Sequence, residues 1–330
     1  MDLLKPEEIA PLAERARDLI SGIQRVILGQ ADLAEAVVTS IIGGGHVLLE
    51  GLPGLGKTEL VKAIGQLTSC HFSRVQFTPD VMPADITGTH VLEETAQGRQ
   101  MRFRPGPIFA QVVLADEINR ASPKTQSALL EAMAEGAVTV LGETRVLTQP
   151  FFVLATQNPV DLDGTYPLPE AQLDRFAVKL VVHGIDDDTL TTLLMKRPGG
   201  RPPAQEAVCS PEQLIELIEA AKHIALPEAV ASWCARLINA TRPERHESPA
   251  LTRDHLRWGA SPRAALALAG LARARALIAG RPAVGFADIR ALAVPVLAHR
   301  VVCTYEAGLN GHNAASIIAG LLETVAEVEA

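Results

Sequence analysis

The stretch at 46–67, HVLLEGLPGLGKTELVKAIGQL, constrains this chain more than any other. An apolar run at 46–50 leads into a glycine-rich loop at 51–57, and a helical pattern starts near Thr58. Inside it lies the spacing G-x-x-x-x-G-K-T, formed by Gly51, Gly56, Lys57 and Thr58, with Gly54 within the loop. Backbone N–H groups can wrap a phosphate only where side chains do not obstruct them, and a helix N-terminus behind the loop adds partial positive charge. Lys57 is placed to reach the β- and γ-phosphates, and the Thr58 hydroxyl to ligate Mg²⁺. A lysine in a first helical turn is disfavoured by the helix dipole by about 0.3–1 kcal/mol, and an anion in the loop reverses that sign.

The rest of the first half has the rhythm of an α/β sheet. Residues 7–20 and 30–42 carry helical spacing, with the short apolar turn Val26-Ile27-Leu28-Gly29-Gln30 between them. That turn either lines an adenine pocket, which makes Gly29 and Gln30 candidates, or simply packs two helices. After the glycine loop, strands are expected at 71–77, 112–115, 151–155 and 177–182. The run at 112–115 is continuously apolar, as a central parallel strand should be. Two hairpins interrupt the rhythm, at about 90–104 and 137–148, the second with Gly142 at its turn. Between them Ser122 as N-cap, Pro123 at N1 and Gly136 after the end punctuate a helix over 122–135. The count implies a five-stranded, mostly parallel sheet with helices on both faces, over residues 1–183. From residue 184 strand patterns vanish and helical segments follow, so 184–330 reads as an all-helical lid with a Pro/Gly-rich loop at 197–203.

Polar groups gather at the ends of these strands. Asp116-Glu117 closes the apolar run VVLADE, at the sheet edge where the glycine loop also lies. Two acids there can divide labour: Asp116 holds Mg²⁺ through water, and Glu117 orients and deprotonates the attacking water. Asn158 ends the next strand, where an amide can polarise water or touch a γ-phosphate; the plainer reading is an Asx turn before Pro159. Arg175, in LDRF, is either a surface arginine paired with Asp174 or Glu170, or a finger delivered to a neighbouring γ-phosphate. Arg263 falls in a first helical turn behind Ser261 as cap and Pro262 at N1, where a cation is unfavourable unless something anionic lies outside the helix. Arg120 is a weaker intersubunit candidate.

Together GHVLLEGLPGLGKT, VVLADEINRASPKTQSALLEAM, FFVLATQNPV, LPEAQLDRF and GASPRAALAL resemble the MoxR group of AAA+ ATPases, in family order and over about 27–300. The resemblance implies a Walker A loop, with Gly51, Pro53, Gly54, Leu55, Gly56, Lys57, Thr58 and Glu59 holding ATP. It makes Asp116-Glu117 Walker B, Asn158 sensor 1, Arg175 a trans-acting arginine finger and Arg263 sensor 2. It makes the two hairpins the helix-2 insert and the pre-sensor-1 hairpin. It also implies homo-oligomeric rings, usually hexamers, that hydrolyse ATP to remodel protein clients, often with partners bearing von Willebrand factor A domains.

The composition narrows the alternatives. A net charge of −8 is no electrostatic footprint for permanent nucleic-acid binding, and neither expected hairpin tip (95–98 or 141–143) carries a lysine, which weighs against a nucleic-acid motor. A monomeric kinase on the same loop would have no use for an outward-aimed arginine. Four cysteines (Cys70, Cys209, Cys234, Cys303), far apart and without a C-x-x-C pair, read as reduced core thiols of a cytoplasmic protein. The N-terminal stretch does not read as a signal peptide, and no apolar tract is long enough to span a membrane.

Overall fold

The structure is a computed structural model that describes residues 3–51, 54–95, 98–158, 165–197, 199–200 and 202–327. Two helices open the chain, α1 (Pro6–Val26) and α2 (Ala31–Ile42). Then come β1 (Val47–Glu50), α3 (Lys57–Leu67), β2 (Phe72–Gln76), α4 (Pro83–Thr87) and the hairpin β3 (Gly88–Thr95)/β4 (Gly98–Pro105). Next are β5 (Val112–Asp116), α5 (Pro123–Glu135), the hairpin β6 (Ala137–Val140)/β7 (Glu143–Val146) and β8 (Phe152–Gln157). The short α6 (Glu170–Leu173) and β9 (Val178–Val181) complete the α/β part.

The main sheet has the order β2-β5-β8-β1-β9, and every pairing in it is parallel. Successive side chains of a strand point to opposite faces, and both faces here are apolar. Val47, Leu49, Val112, Leu114 and Leu154 join the core under α1, α2 and α3. Leu48, Val113, Ala115, Val153 and Ala155 join the core under α4 and α5. Both hairpins stand outside the sheet as separate two-stranded ribbons, the first running over 88–105 against the expected 90–104 or so. Two residues of its tip, 96–97, lie outside the described residues.

The punctuation of α5 is as expected: Ser122 Oγ accepts the Thr125 N–H, and Gly136 closes the helix at φ +60°. The turn of the second hairpin holds a surprise, because Leu141 as well as Gly142 has positive φ (+51° and +82°). A two-residue type I′ turn requires that of both positions, and the leucine that accepts it is 79% exposed.

After β9 come α7 (Asp187–Lys196), α8 (Pro211–Lys222), α9 (Glu228–Ala240), α10 (Ala250–His255), β10 (Leu256–Trp258), α11 (Pro262–Ile278), α12 (Phe286–Leu297), β11 (Val302–Cys303), α13 (Tyr305–Leu309) and α14 (Ala314–Thr324). This lid is helical apart from the antiparallel ribbon β10–β11, where two interhelical segments satisfy each other's backbone groups. The C-terminal segment docks onto it, with Trp233 Nε1 donating to the Val325 carbonyl at 2.9 Å. Helices α1 and α2 also pack on α11, so one apolar cluster runs from the sheet through the N-terminal helices into the lid.

Cys70, Cys209 and Cys234 are buried, Cys303 is half-buried, and all four are free thiols. Burial pushes Cys209 and Cys234 up to about 11, which keeps them as unreactive thiols near neutral pH. Among the described residues no helix is long and apolar enough to cross a membrane.

Candidate functional site

The carboxyl ends of β1, β2, β5 and β8 converge on one cavity of about 270 Å³. Gly51, Gly54, Gly56, Lys57, Thr58, Glu59, Asp116, Glu117 and Asn158 all line it. Gly54 and Gly56 have φ of +86° and +80°, conformations that L side chains rarely adopt, so the loop curls as it does only because these positions lack a Cβ. Gly56 then serves as N-cap of α3 and hands the chain to Lys57. The Lys57 ammonium donates to the Gly51 carbonyl across the loop. Burial draws its pKa down, and the carboxylates of Asp116, Glu117 and Glu50 work against that shift. Glu59, two residues on, pairs with Lys62 at 2.9 Å. Leu55 turns away from the cavity onto the core, and Pro53 lies outside the described residues.

The two acids are held differently. Asp116 Oδ1 accepts the Thr156 hydroxyl at 2.6 Å, and Oδ2 accepts Arg74 Nη2 at 2.7 Å. Glu117 follows at φ +57°, uncommon for a residue with a side chain, and its N–H donates to Thr156 Oγ1 at 2.8 Å. One threonine on β8 thus braces both acids at the end of β5. Glu117 Oε2 accepts Gln76 Nε2 at 2.9 Å and Arg120 Nη1 at 3.0 Å, so within this chain Arg120 pairs with Glu117. The Asn158 backbone carbonyl accepts Asn119 Nδ2 at 3.3 Å, which ties the loop after β8 to the turn after β5.

Sequence reasoning missed Arg74, Gln76 and Thr156, which line the same cavity. A signal for the first two existed: Arg74 and Gln76 alternate on one face of β2, and the parallel register sets Gln76 beside Asp116. Thr156 showed only as the first polar residue after an apolar run.

Four further candidates do not reach the cavity. Gly29 sits at φ +73° with the Thr189 side chain 2.7 Å from where a Cβ would be. Gln30 caps α2 by position, and its buried Oε1 has no partner among the described residues. Arg175 is half-buried, and its Nη1 donates to the Leu130 carbonyl at 2.7 Å. Arg263 is exposed, with Nη1 3.2 Å from Asp174 Oδ2. The anion facing the first turn of α11 within this chain is therefore Asp174. Ser261 stands at the N-cap position without capping, and its hydroxyl instead donates to Asp174 Oδ2 at 3.1 Å.

Asp174 is shared with a residue that the sequence did not flag. Arg300 has only 2% of its side chain exposed, and its Nε donates to Asp174 Oδ1 at 2.7 Å. Its other nitrogens donate to the carbonyls of Asp174, Phe176, Ala177 and Val296. The lid thereby clamps the backbone on both sides of Arg175.

Known proteins resemble this chain over most of its length. Residues 46–178 match the model of the ATPase family associated with various cellular activities (AAA), and residues 249–320 match an AAA lid domain. Chaperone MoxR1 of Mycobacterium tuberculosis is 40% identical over 92% of this chain and 80% of its own length. The chain belongs to the MoxR family of AAA+ ATPases. The uncharacterised protein YeaC of Bacillus subtilis is 41% identical over 97% of this chain and 96% of its own. A crystal structure from Cytophaga hutchinsonii, described as a candidate ATPase, superposes with a TM-score of 0.90 at 34% identity, covering 98% of each chain. In this MoxR-family fold the AAA match begins at the residue before β1 and ends at the first residue of β9, and the lid match spans α10 to α14.

Proposed function

We propose that this MoxR-family protein hydrolyses ATP within a homo-oligomeric ring, a hexamer, and uses the cycle to remodel protein clients in the cytoplasm. The observation that carries the reading is the meeting of the glycine loop, Lys57, Asp116, Glu117 and Asn158 in one cavity at the sheet edge. The residues suit the ligand: two positive-φ glycines leave a cradle for phosphate, and beside it lie an ammonium, a hydroxyl and two carboxylates. Thr58 and Asp116 would hold Mg²⁺, which when bound neutralises charge on the phosphate oxygens.

Within the site Lys57 binds the β- and γ-phosphates, Glu117 takes the proton of the attacking water, and Asn158 orients that water. Arg175 and Arg263 complete the site from outside the cavity. Arg175 serves a neighbour's nucleotide: it is half-exposed, and among the described residues it gives up one carbonyl contact in reaching outward. Arg263 serves as sensor 2 by trading Asp174 for phosphate. A client carrying a von Willebrand factor A domain fits the family resemblance, and the chaperone name of the mycobacterial relative fits a remodelling role.

Light scattering of the Glu117→Gln variant with ATP and Mg²⁺ tests the reading. A nucleotide-dependent hexamer is the expected result; a persistent monomer would point to a kinase-like enzyme instead.

A further inference from the structure

The cavity contains a cation for which the proposed reaction has no use. Arg74 lies on β2, at the edge of the sheet, two residues before the end of the strand. Its Nη2 donates to Asp116 Oδ2 and to Gln76 Oε1, both at 2.7 Å. Asp116 has only 16% of its side chain exposed, so each of its oxygens depends on a protein donor: Oδ1 on Thr156, Oδ2 on Arg74. A carboxylate so placed and left without a cation is costly. Arg74 itself is 45% exposed, and its long stem can withdraw toward solvent without disturbing the core.

We propose that Arg74 is the resident cation of the metal site, neutralising Asp116 until a divalent ion displaces it. The proposal rests on reading the cavity as a metal–nucleotide site. The guanidinium and a hydrated metal would compete for the Asp116 oxygen that Thr156 does not engage, because two cations at one carboxylate repel. The exchange also reaches the second acid. Arg74 donates to Gln76, whose amide donates to Glu117, so displacement of Arg74 removes one support of that amide. Arg74 is therefore a positioning residue, which sets the metal concentration at which the site fills.

The test follows binding of a fluorescent, non-hydrolysable ATP analogue while free Mg²⁺ is varied. Variants are Arg74→Met, Arg74→Lys, Arg120→Met and Asp116→Asn. Arg74→Met is expected to lower the half-saturating Mg²⁺ about three- to five-fold, the scale of losing one half-exposed ion pair. Arg74→Lys, which keeps the charge but not the fork, should fall between Arg74→Met and wild type. Arg120→Met removes the same charge from Glu117 instead and should stay nearer wild type. An unchanged or raised midpoint in Arg74→Met, or an equal shift in Arg120→Met, would overturn the proposal. The nucleotide reading survives that outcome so long as Asp116→Asn abolishes the Mg²⁺ dependence. Analogue binding that ignores both Mg²⁺ and a Lys57→Ala change would instead remove the nucleotide reading, and this proposal with it.

Discussion

The Thr156 hydroxyl donates to Asp116 Oδ1 across 2.6 Å, joining neighbouring strands β8 and β5 at the mouth of the cavity. The same oxygen accepts the Glu117 N–H at 2.8 Å and so holds the turn in which Glu117 adopts positive φ. The angle between the two acids is thus set by a residue 39 and 40 positions away in sequence.

Thr156→Val keeps the shape and removes both bonds. An unpaired buried carboxylate oxygen and an unpaired N–H cost about 1–3 kcal/mol. Urea unfolding should show a loss of that size, and ATP turnover should fall at least about ten-fold, since near 1.4 kcal/mol of lost alignment is a factor of ten. Thr156→Ser should recover most of both.

Lys57 and Glu117 should fail in different ways. Lys57→Ala is expected to abolish nucleotide binding. Glu117→Gln should bind ATP with near-normal affinity and not turn it over. Equilibrium binding alongside single-turnover hydrolysis separates the two, and normal turnover in Glu117→Gln would reassign the base.

Arg175→Ala should bind nucleotide and lose hydrolysis. Mixed with Glu117→Gln subunits it should regain part of the activity, because each supplies what the other lacks across an interface. No recovery at any mixing ratio would place Arg175 outside a shared site.

Arg300→Met should destabilise the protein by about 3–5 kcal/mol, the usual result of removing one member of a buried ion pair. Asp174 Oδ1 and the Ala177 carbonyl would lose the Arg300 donor, while Oδ2 keeps Ser261 and Arg263. Arg263→Met breaks an exposed contact to the same aspartate and should cost no more than about 1 kcal/mol. Chemical denaturation of the two variants compares them directly.

His299 gives the stability a pH dependence. Burial, with the charge of Arg300 next, pushes its pKa down to about 3, against the hydrogen bond to the Phe176 carbonyl. The unfolded chain takes up this proton near the ordinary value of about 6.5, while the folded chain refuses it until near 3. The stability contribution is therefore complete above that ordinary value and is lost as pH falls toward 3, on the order of 1 kcal/mol per pH unit. Unfolding free energies of His299→Gln between pH 7 and about 5 should slope less steeply than those of wild type.

Much of the fold and the centre of the site were legible in the sequence. Strand, glycine loop and helix are read from contiguous residues, and Gly54, Gly56, Lys57 and Thr58 line one cavity because the local backbone positions them. Asp116, Glu117 and Asn158 were found because apolar runs end in polar groups where parallel strands end. Continuous apolar runs likewise announced the buried strands, whose alternate side chains enter opposite cores.

Partners were decided only by the tertiary structure. Asp174 is adjacent in sequence to Arg175, yet it pairs with Arg263 and Arg300, 89 and 126 positions on. Ser261 read as a helix cap and instead donates to that same aspartate. Arg74, Gln76 and Thr156 reach the acids because the strand order β2-β5-β8 sets their strands on either side of β5. Local chemistry specifies what each strand end can do, because it depends on neighbouring residues and backbone conformation. Which strand lies beside which follows from how the crossover helices pack, a property of the whole core and of no single segment.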